Sequence, residues 1–382
     1  MIYFDNAATT YPKPRAVREA VAHALTQLGA NPGRGGHKMA YAAAEEIYGV
    51  RTALSQFFDL GAPENVIFTK NCTEALNLVI KGLAHPGCHF VCSDLEHNAV
   101  ARPLETLKQR GVCTWEAAQT GKTDEETVAG FQACIRKNTA AIICTGASNV
   151  FGKALPLEKL SALAHAHGIP LVADLAQTAG ILPISLRKSG VDFACAPGHK
   201  GLYGPMGTGV LLCNSAVQLE TLMEGGTGNF SAQLTQPVNY PERLESGTLN
   251  VPGITGLGAG VRAVQKRGVS EIYTREMQFA RHIAAALSHM PNVQLYTDLE
   301  SQTEHFAPLL SFNIRGMHSE EVGAALARRG VAVRAGLHCA VLAHRTYGTA
   351  ETGTVRICPS IFTKTQDVKS LLNSIFQIAK DA

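Results

Sequence analysis

Leu171-Val172-Ala173-Asp174-Leu175-Ala176-Gln177 is the stretch from which the fold is read. A short, continuous apolar run closed by a carboxylate reads as a strand buried on both faces, the pattern of a parallel sheet. Working outward, Val66–Phe68, Phe90–Cys92 and Ala141–Cys144 are similar apolar, partly β-branched runs. Their spacing leaves room for crossover helices, and Glu74–Leu83 and Leu157–His167 fit that role. The alternation predicts an α/β architecture, with a mainly parallel central sheet flanked by helices. Thr73, His97, Asn149 and Asp174 each follow one of these four strands. Ligands in open parallel sheets bind beyond the carboxyl ends of the strands, so the four groups predict a single site.

From about residue 262 the pattern changes. A long helical stretch over Val261–Met290 and another over Ser319–Arg329 flank short strands at Leu310–Ile314 and Val331–Arg334. Residues 13–261 are therefore expected to form a large domain. Residues 1–12 and 262–382 are expected to form a smaller C-terminal α/β domain.

The 382 residues are 46% hydrophobic and 17% charged, enough apolar content for large cores and too little charge for extensive disorder. A net charge of +3, with Lys and Arg scattered, gives no footprint for nucleic acid. The start of the sequence has no basic and apolar leader pattern, and no apolar run reaches membrane-spanning length, so a cytoplasmic protein away from the membrane is expected. The ten cysteines are then reduced thiols, most of them small core residues.

Gly198-His199-Lys200-Gly201-Leu202-Tyr203-Gly204-Pro205 carries the first chemical signal. A loop lysine is ordinarily a solvated charge. Flanking glycines allow a ligand to approach the backbone closely, and a lysine amine forms a Schiff base with a carbonyl cofactor. Asp174 at a strand end could keep a pyridine nitrogen protonated; the plainer role is to cap the following helix. The Asn71-Cys72-Thr73-Glu74 run passes from a strand into a helix, where free N–H groups and the helix dipole favour a phosphate. A threonine cap without a ligand is the plainer reading there.

Asp174-x-x-Gln177 followed by Gly198-His199-Lys200 resembles the class V aminotransferase superfamily of fold-type I pyridoxal-phosphate enzymes. Phe4-Asp5-Asn6-Ala7-Ala8-Thr9-Thr10 and Glu96-His97-Asn98 resemble its cysteine desulfurase branch. The resemblance spans residues 2 to about 375. It implies that Lys200 holds pyridoxal 5'-phosphate, Asp174 pairs with the ring nitrogen, and Gln177 bonds the ring hydroxyl. It implies that His97 stacks on the ring and shuttles protons, and that Asn149 lies beside the ring hydroxyl or the substrate carboxylate. Cys72 through its backbone, Thr73 and His199 would contact the phosphate. Thr248, in Ser246-Gly247-Thr248-Leu249-Asn250, would reach the phosphate of a partner subunit, implying a homodimer. Two positions depart from the family pattern: Cys72 replaces Thr or Ser, and Pro197 replaces a hydroxyl residue two positions before His199.

Val333-Arg334-Ala335-Gly336-Leu337-His338-Cys339-Ala340 carries the choice of reaction. A cysteine in apolar sequence is usually core filling. This run resembles the Arg-x-Gly-His-His-Cys signature of the group II, SufS/CsdA-like desulfurases, with Leu337 replacing the first histidine. Cys339 is then the nucleophile that takes sulfur, and Arg334 and His338 are neighbours able to favour a thiolate. Arg356 matches the family arginine that grips the substrate carboxylate, for which a planar guanidinium fork is suited, and Arg334 is expected to bind the substrate with it. A structural ion pair is the plainer role of Arg356. The His85, Cys88, His89, Cys92 and His97 series suggests zinc, but a buried strand over Phe90–Cys92 would point alternate side chains apart, so no metal is expected.

The resemblance implies conversion of L-cysteine to alanine, with persulfide on Cys339 passed to a thiol or sulfur-acceptor protein for iron–sulfur clusters or other thio-cofactors. The alternatives are selenocysteine lyase acting on L-selenocysteine, another class V enzyme such as a transaminase or β-lyase, and a non-catalytic sulfur-relay or binding protein on this fold.

Overall fold

The protein is described as a computed structural model covering residues 1–33, 35–297, 299 and 306–382. Its large sheet runs, edge to edge, Val66–Thr69, Gly209–Cys213, Phe193–Pro197, Leu171–Asp174, Thr139–Thr145, Cys88–Ser93 and Cys113–Ala118. Gly209–Cys213 is antiparallel to both its neighbours, and the other strands share one direction. Ile142, Ile143, Val172 and Ala173 are fully buried, as strands covered on both faces require. All four strands expected from the sequence are present. Cys113–Ala118, Phe193–Pro197 and Gly209–Cys213 were not anticipated. Phe193-Ala194-Cys195-Ala196-Pro197 has no β-branched residue, and Cys113–Ala118 is a half-exposed edge strand with mixed polarity.

Chain order therefore differs from spatial order. Val66–Thr69 lies at the far edge, yet its carboxyl end points the same way as those of the central strands. The helix after it spans Cys72–Leu83, starting ahead of the expected Glu74 because Asn71 Oδ1 caps it by accepting Glu74 N–H at 2.9 Å. The helix after Thr139–Thr145 spans Leu157–Ala166.

The stretch expected as one helix over Val261–Met290 is two helices, Val251–Arg267 and Val269–Ser288. Gly268, at φ 88°, breaks them in a conformation that side chains disfavour. The first packs on helices Arg15–Gln27 and Lys38–Phe57 beside the large sheet. The second belongs to another core, built on an antiparallel sheet ordered Arg334–Gly336, Thr354–Ile357, Leu310–Ile314 and Val293–Leu295. Helices Ser319–Arg328 and Thr365–Asp381 complete that core. The segment expected as a strand over Val331–Arg334 is shared: Val331–Ala332 pairs with Ile2–Tyr3, and Arg334 starts the next strand.

The chain start bridges the two sheet systems. Phe4 C=O accepts Cys358 N–H at 2.8 Å, and Thr10 Oγ1 donates to Lys200 C=O at 2.9 Å. No helix among the described residues is long and apolar enough to cross a membrane.

Candidate active site

A cleft of about 220 Å³ opens at the carboxyl ends of the parallel strands. Cys72, Thr73, His97, Asn149, Asp174, Gln177, His199, Lys200, Arg334, Cys339 and Arg356 line it, so it gathers every expected site residue except Thr248. Thr248 lies in a separate groove with Thr69 and Glu74, and its hydroxyl accepts from Asn31 Nδ2 at 3.3 Å.

Lys200 is held by its backbone. Its carbonyl accepts Thr10 Oγ1, and the adjacent His199 carbonyl accepts Lys13 Nζ at 2.5 Å and Thr9 Oγ1 at 3.1 Å. Burial, then the Arg356 charge, lower the pKa of the lysine amine and favour its free, nucleophilic form. Asp174 is buried at its strand end and accepts Ala176 N–H at 2.9 Å through Oδ1. Gln177 donates through Nε2 to Ala7 C=O at 3.2 Å.

His97 caps the helix Asn98–Gln109, its Nδ1 accepting Ala99 N–H at 3.0 Å. That bond assigns the ring proton of the neutral form to Nε2. Burial pulls its pKa down to about 4, with Asp174 opposing and Lys200 assisting. His199 is likewise lowered to about 4 by burial, then Lys200 and Lys13, and its buried Nδ1 has no partner among the described residues.

The sulfur loop is tied to the cleft by backbone bonds. Asn98 N–H donates to Cys339 C=O at 2.7 Å, and Asn149 Nδ2 donates to His338 C=O at 2.9 Å. His338 and Cys339 sit at φ 48° and 56°, a left-handed pair of non-glycine residues. Such backbone is sparsely populated and is stabilised here by those bonds. Cys339 is exposed, and Arg334 Nη2 lies 4.0 Å from its Sγ. His338 does not assist the thiol as expected. Its Nε2 is bonded to Thr354 C=O at 2.9 Å, its ring stacks on His344 with centroids 5.7 Å apart, and burial lowers its pKa to about 2. It is a neutral core group.

Arg356 makes the structural ion pair of the plainer reading, and it also lines the cleft. Nη2 pairs with Asp5 Oδ1 at 2.9 Å and Nη1 donates to Asn149 C=O at 2.9 Å, while buried Nε has no partner among the described residues. Asp5 was not singled out, because nothing local in the sequence signals a partner across the chain. The zinc series is dispersed: Cys88 and Cys92 are buried in a strand, and His89 Nδ1 bonds Thr139 Oγ1 at 3.0 Å. No group of three or more potential ligands occurs among the described residues.

The donor set fits pyridoxal phosphate. Asp174 Oδ2 has no hydrogen bond among the described residues, His199 Nδ1 and Asn149 Oδ1 are buried and unpartnered, and the N-terminus of the Cys72–Leu83 helix enters the cleft. A pyridine nitrogen, ring hydroxyl and phosphate match these groups.

A buried lysine and a strand-end carboxylate lining one cleft at the carboxyl ends of a mainly parallel sheet are the arrangement of the fold-type I α/β class. The chain belongs to the class-V aminotransferase family, which matches residues 2–371. It is 31% identical to a probable cysteine desulfurase of Methanothermobacter thermautotrophicus, over 99% of this chain and 94% of that one. It is also similar to the apo structure of a cysteine desulfurase from Thermococcus onnurineus, with TM-score 0.91, 29% identity and coverage of 100% and 95%. The cysteine desulfurase CsdA of Escherichia coli gives TM-score 0.87 and 26% identity, with 100% and 94% covered. The chain spans only 56–62% of the length of several other similar desulfurases.

Proposed function

We propose that this chain is a pyridoxal-phosphate-dependent cysteine desulfurase, converting L-cysteine to L-alanine and leaving a persulfide on Cys339. The observation that carries the reading is an exposed Cys339 thiol in the cleft that also holds Lys200, Asp174 and Arg356. When bound, the cofactor supplies an electron sink for the α-carbon of the amino acid. Lys200 is its covalent anchor and, with His97, the group placed to move the α-proton. Asp174 pairs with the ring nitrogen, and Gln177 and Asn149 serve the ring hydroxyl and the substrate carboxylate. The backbone N–H of Cys72, Thr73 and His199 take the phosphate. Arg356 receives the substrate carboxylate, and Arg334, whose Nη2 lies 4.0 Å from Cys339 Sγ, binds the substrate with it. The Cys339 thiolate attacks the substrate sulfur: an S–S bond forms, the C–S bond breaks, and its electron pair stays with the alanine carbon, which takes up a proton.

Residues 13–261 form the cofactor-binding domain, and 1–12 with 262–382 the small domain carrying Cys339 and Arg356. The enzyme is a cytoplasmic homodimer in which Thr248 completes the partner's phosphate site. Supporting this, Met206, Met223, Phe230 and Leu234 are exposed on the stretch preceding Thr248. The sulfur passes to a thiol or acceptor protein for iron–sulfur cluster assembly.

The experiment is turnover of L-cysteine by protein supplied with pyridoxal phosphate, measuring alanine and mapping added sulfur by mass spectrometry. Sulfur is expected on Cys339. Lys200→Ala should lower alanine formation by more than about 100-fold, and borohydride should fix the cofactor to Lys200 in the parent protein. Sulfur mapped to Cys72 or Cys358, or cofactor fixed elsewhere, would sink the assignment.

A further inference from the structure

Asp174 ends its strand with two donors on one oxygen. The turn that follows brings Ala176 N–H to Oδ1 at 2.9 Å. The helix Cys72–Leu83 packs over strands Phe193–Pro197 and Leu171–Asp174, and its first residue places Cys72 Sγ 3.4 Å from the same oxygen. That separation is a normal one for a sulfur donor. The thiol is buried; burial first, then the Asp174 charge, push its pKa well above the ordinary range, so it stays protonated and donates. Oδ2 accepts no hydrogen bond among the described residues, and Asp174 lines the cleft. Two donors on Oδ1 resist rotation of the carboxylate about its side-chain bond. A donor to a buried anion also contributes more than one between neutral groups.

We propose that Cys72 is a positioning residue whose thiol donates to Asp174 Oδ1 and fixes the carboxylate, so that Oδ2 is the acceptor left for the cofactor's ring nitrogen. The part concerning the ring nitrogen rests on the function proposed above, whereas the thiol–carboxylate bond stands without it. A thiol that merely filled space would be replaceable by any residue of similar size. A donor is replaceable only by another donor.

Two measurements test this on the full chain. In the first, cofactor-free protein is compared with Cys72→Ala by infrared difference spectroscopy, which isolates the Cys72 S–H stretch. The band should lie at the low-frequency, hydrogen-bonded position and move upward in Asp174→Ala. A band already at the free-thiol position, or one indifferent to Asp174→Ala, would overturn the proposal. In the second, pyridoxal phosphate is titrated into folded variants. Cys72→Ala should bind about fivefold more weakly and shift the absorption band of the bound cofactor, and Cys72→Ser should restore both to within about twofold. Equal affinity and an unchanged band in Cys72→Ala would refute the positioning role. If the parent protein took up no cofactor, the proposed function would fall along with the role toward the ring nitrogen, and the infrared result alone would decide the thiol bond.

Discussion

Glu276 lies on the Val269–Ser288 helix with 3% of its surface exposed, and among the described residues its carboxylate accepts only Ile361 N–H, at 3.0 Å. Burial raises its pKa from 4.5 to about 8. As pH rises above 4.5 the unfolded chain releases this proton while the folded protein retains it, so stability falls until pH passes about 8 and is level beyond. The loss is on the order of 5 kcal/mol across that window. Glu276→Gln keeps the shape and the acceptor but does not titrate. Its stability advantage over the parent in denaturant unfolding should therefore grow from pH 5 to pH 8; equal slopes would show that Glu276 is solvated. At Cys339, replacement by Ala should abolish persulfide formation and leave cofactor uptake unchanged, read by mass spectrometry and absorbance. Asp174 and Lys200 were legible in sequence because strand ends and glycine-flanked lysines have local signatures. The orientation of His338 was not, since it depends on Thr354 and His344, which only the fold brings near.

The Lys200 turn is set by a close crossing of two backbone segments. A Cβ on Gly201 would meet Ala179 C=O at 2.4 Å, and one on Gly180, itself at φ 78°, would meet Gly201 C=O at 2.3 Å. Gly201→Ala should therefore cost about 1–3 kcal/mol, the usual range for overpacking, and displace the lysine. Denaturant unfolding and cofactor titration check this; an unperturbed titration would show that the turn adapts. The same physics hid an element from sequence reading. Helix Val251–Arg267 contains Pro252, Gly253, Gly256, Gly258 and Gly260, a composition that argues against a helix. Packing explains it: a Cβ on Gly260 would strike Leu202 C=O at 2.3 Å, and one on Gly258 would strike Val50 at 2.4 Å. Helix propensity is overridden wherever close approach of neighbours requires a missing side chain. Continuous apolar, partly β-branched strands carry no such conflict, and four strands of the large sheet were readable for that reason.

A groove of about 1050 Å³ lies between the start of the Lys38–Phe57 helix and residues 224–237, and Tyr41, Phe230 and Leu234 border it. Tyr41 and Phe230 are more than half exposed, and Leu234 is fully so. Exposed apolar surface of this kind is characteristic of subunit contacts. Sedimentation should show a dimer, and the double change Phe230→Asp with Leu234→Asp should weaken it at least tenfold and, on the proposed sharing of the phosphate site through Thr248, reduce cofactor affinity. A fully active monomer would contradict the shared site. Within one subunit, the Asp5–Arg356 ion pair joins residues 351 positions apart. At about 5–20 residues per second, translation separates the emergence of the two by roughly 20–70 s. Throughout that interval the carboxylate that steadies the arginine waits on the nascent chain without its counterpart, and for the later part of it the turn carrying Lys200 has already been made. The cleft around the lysine is thus complete only once Arg356, the last of its lining residues in chain order, has been added.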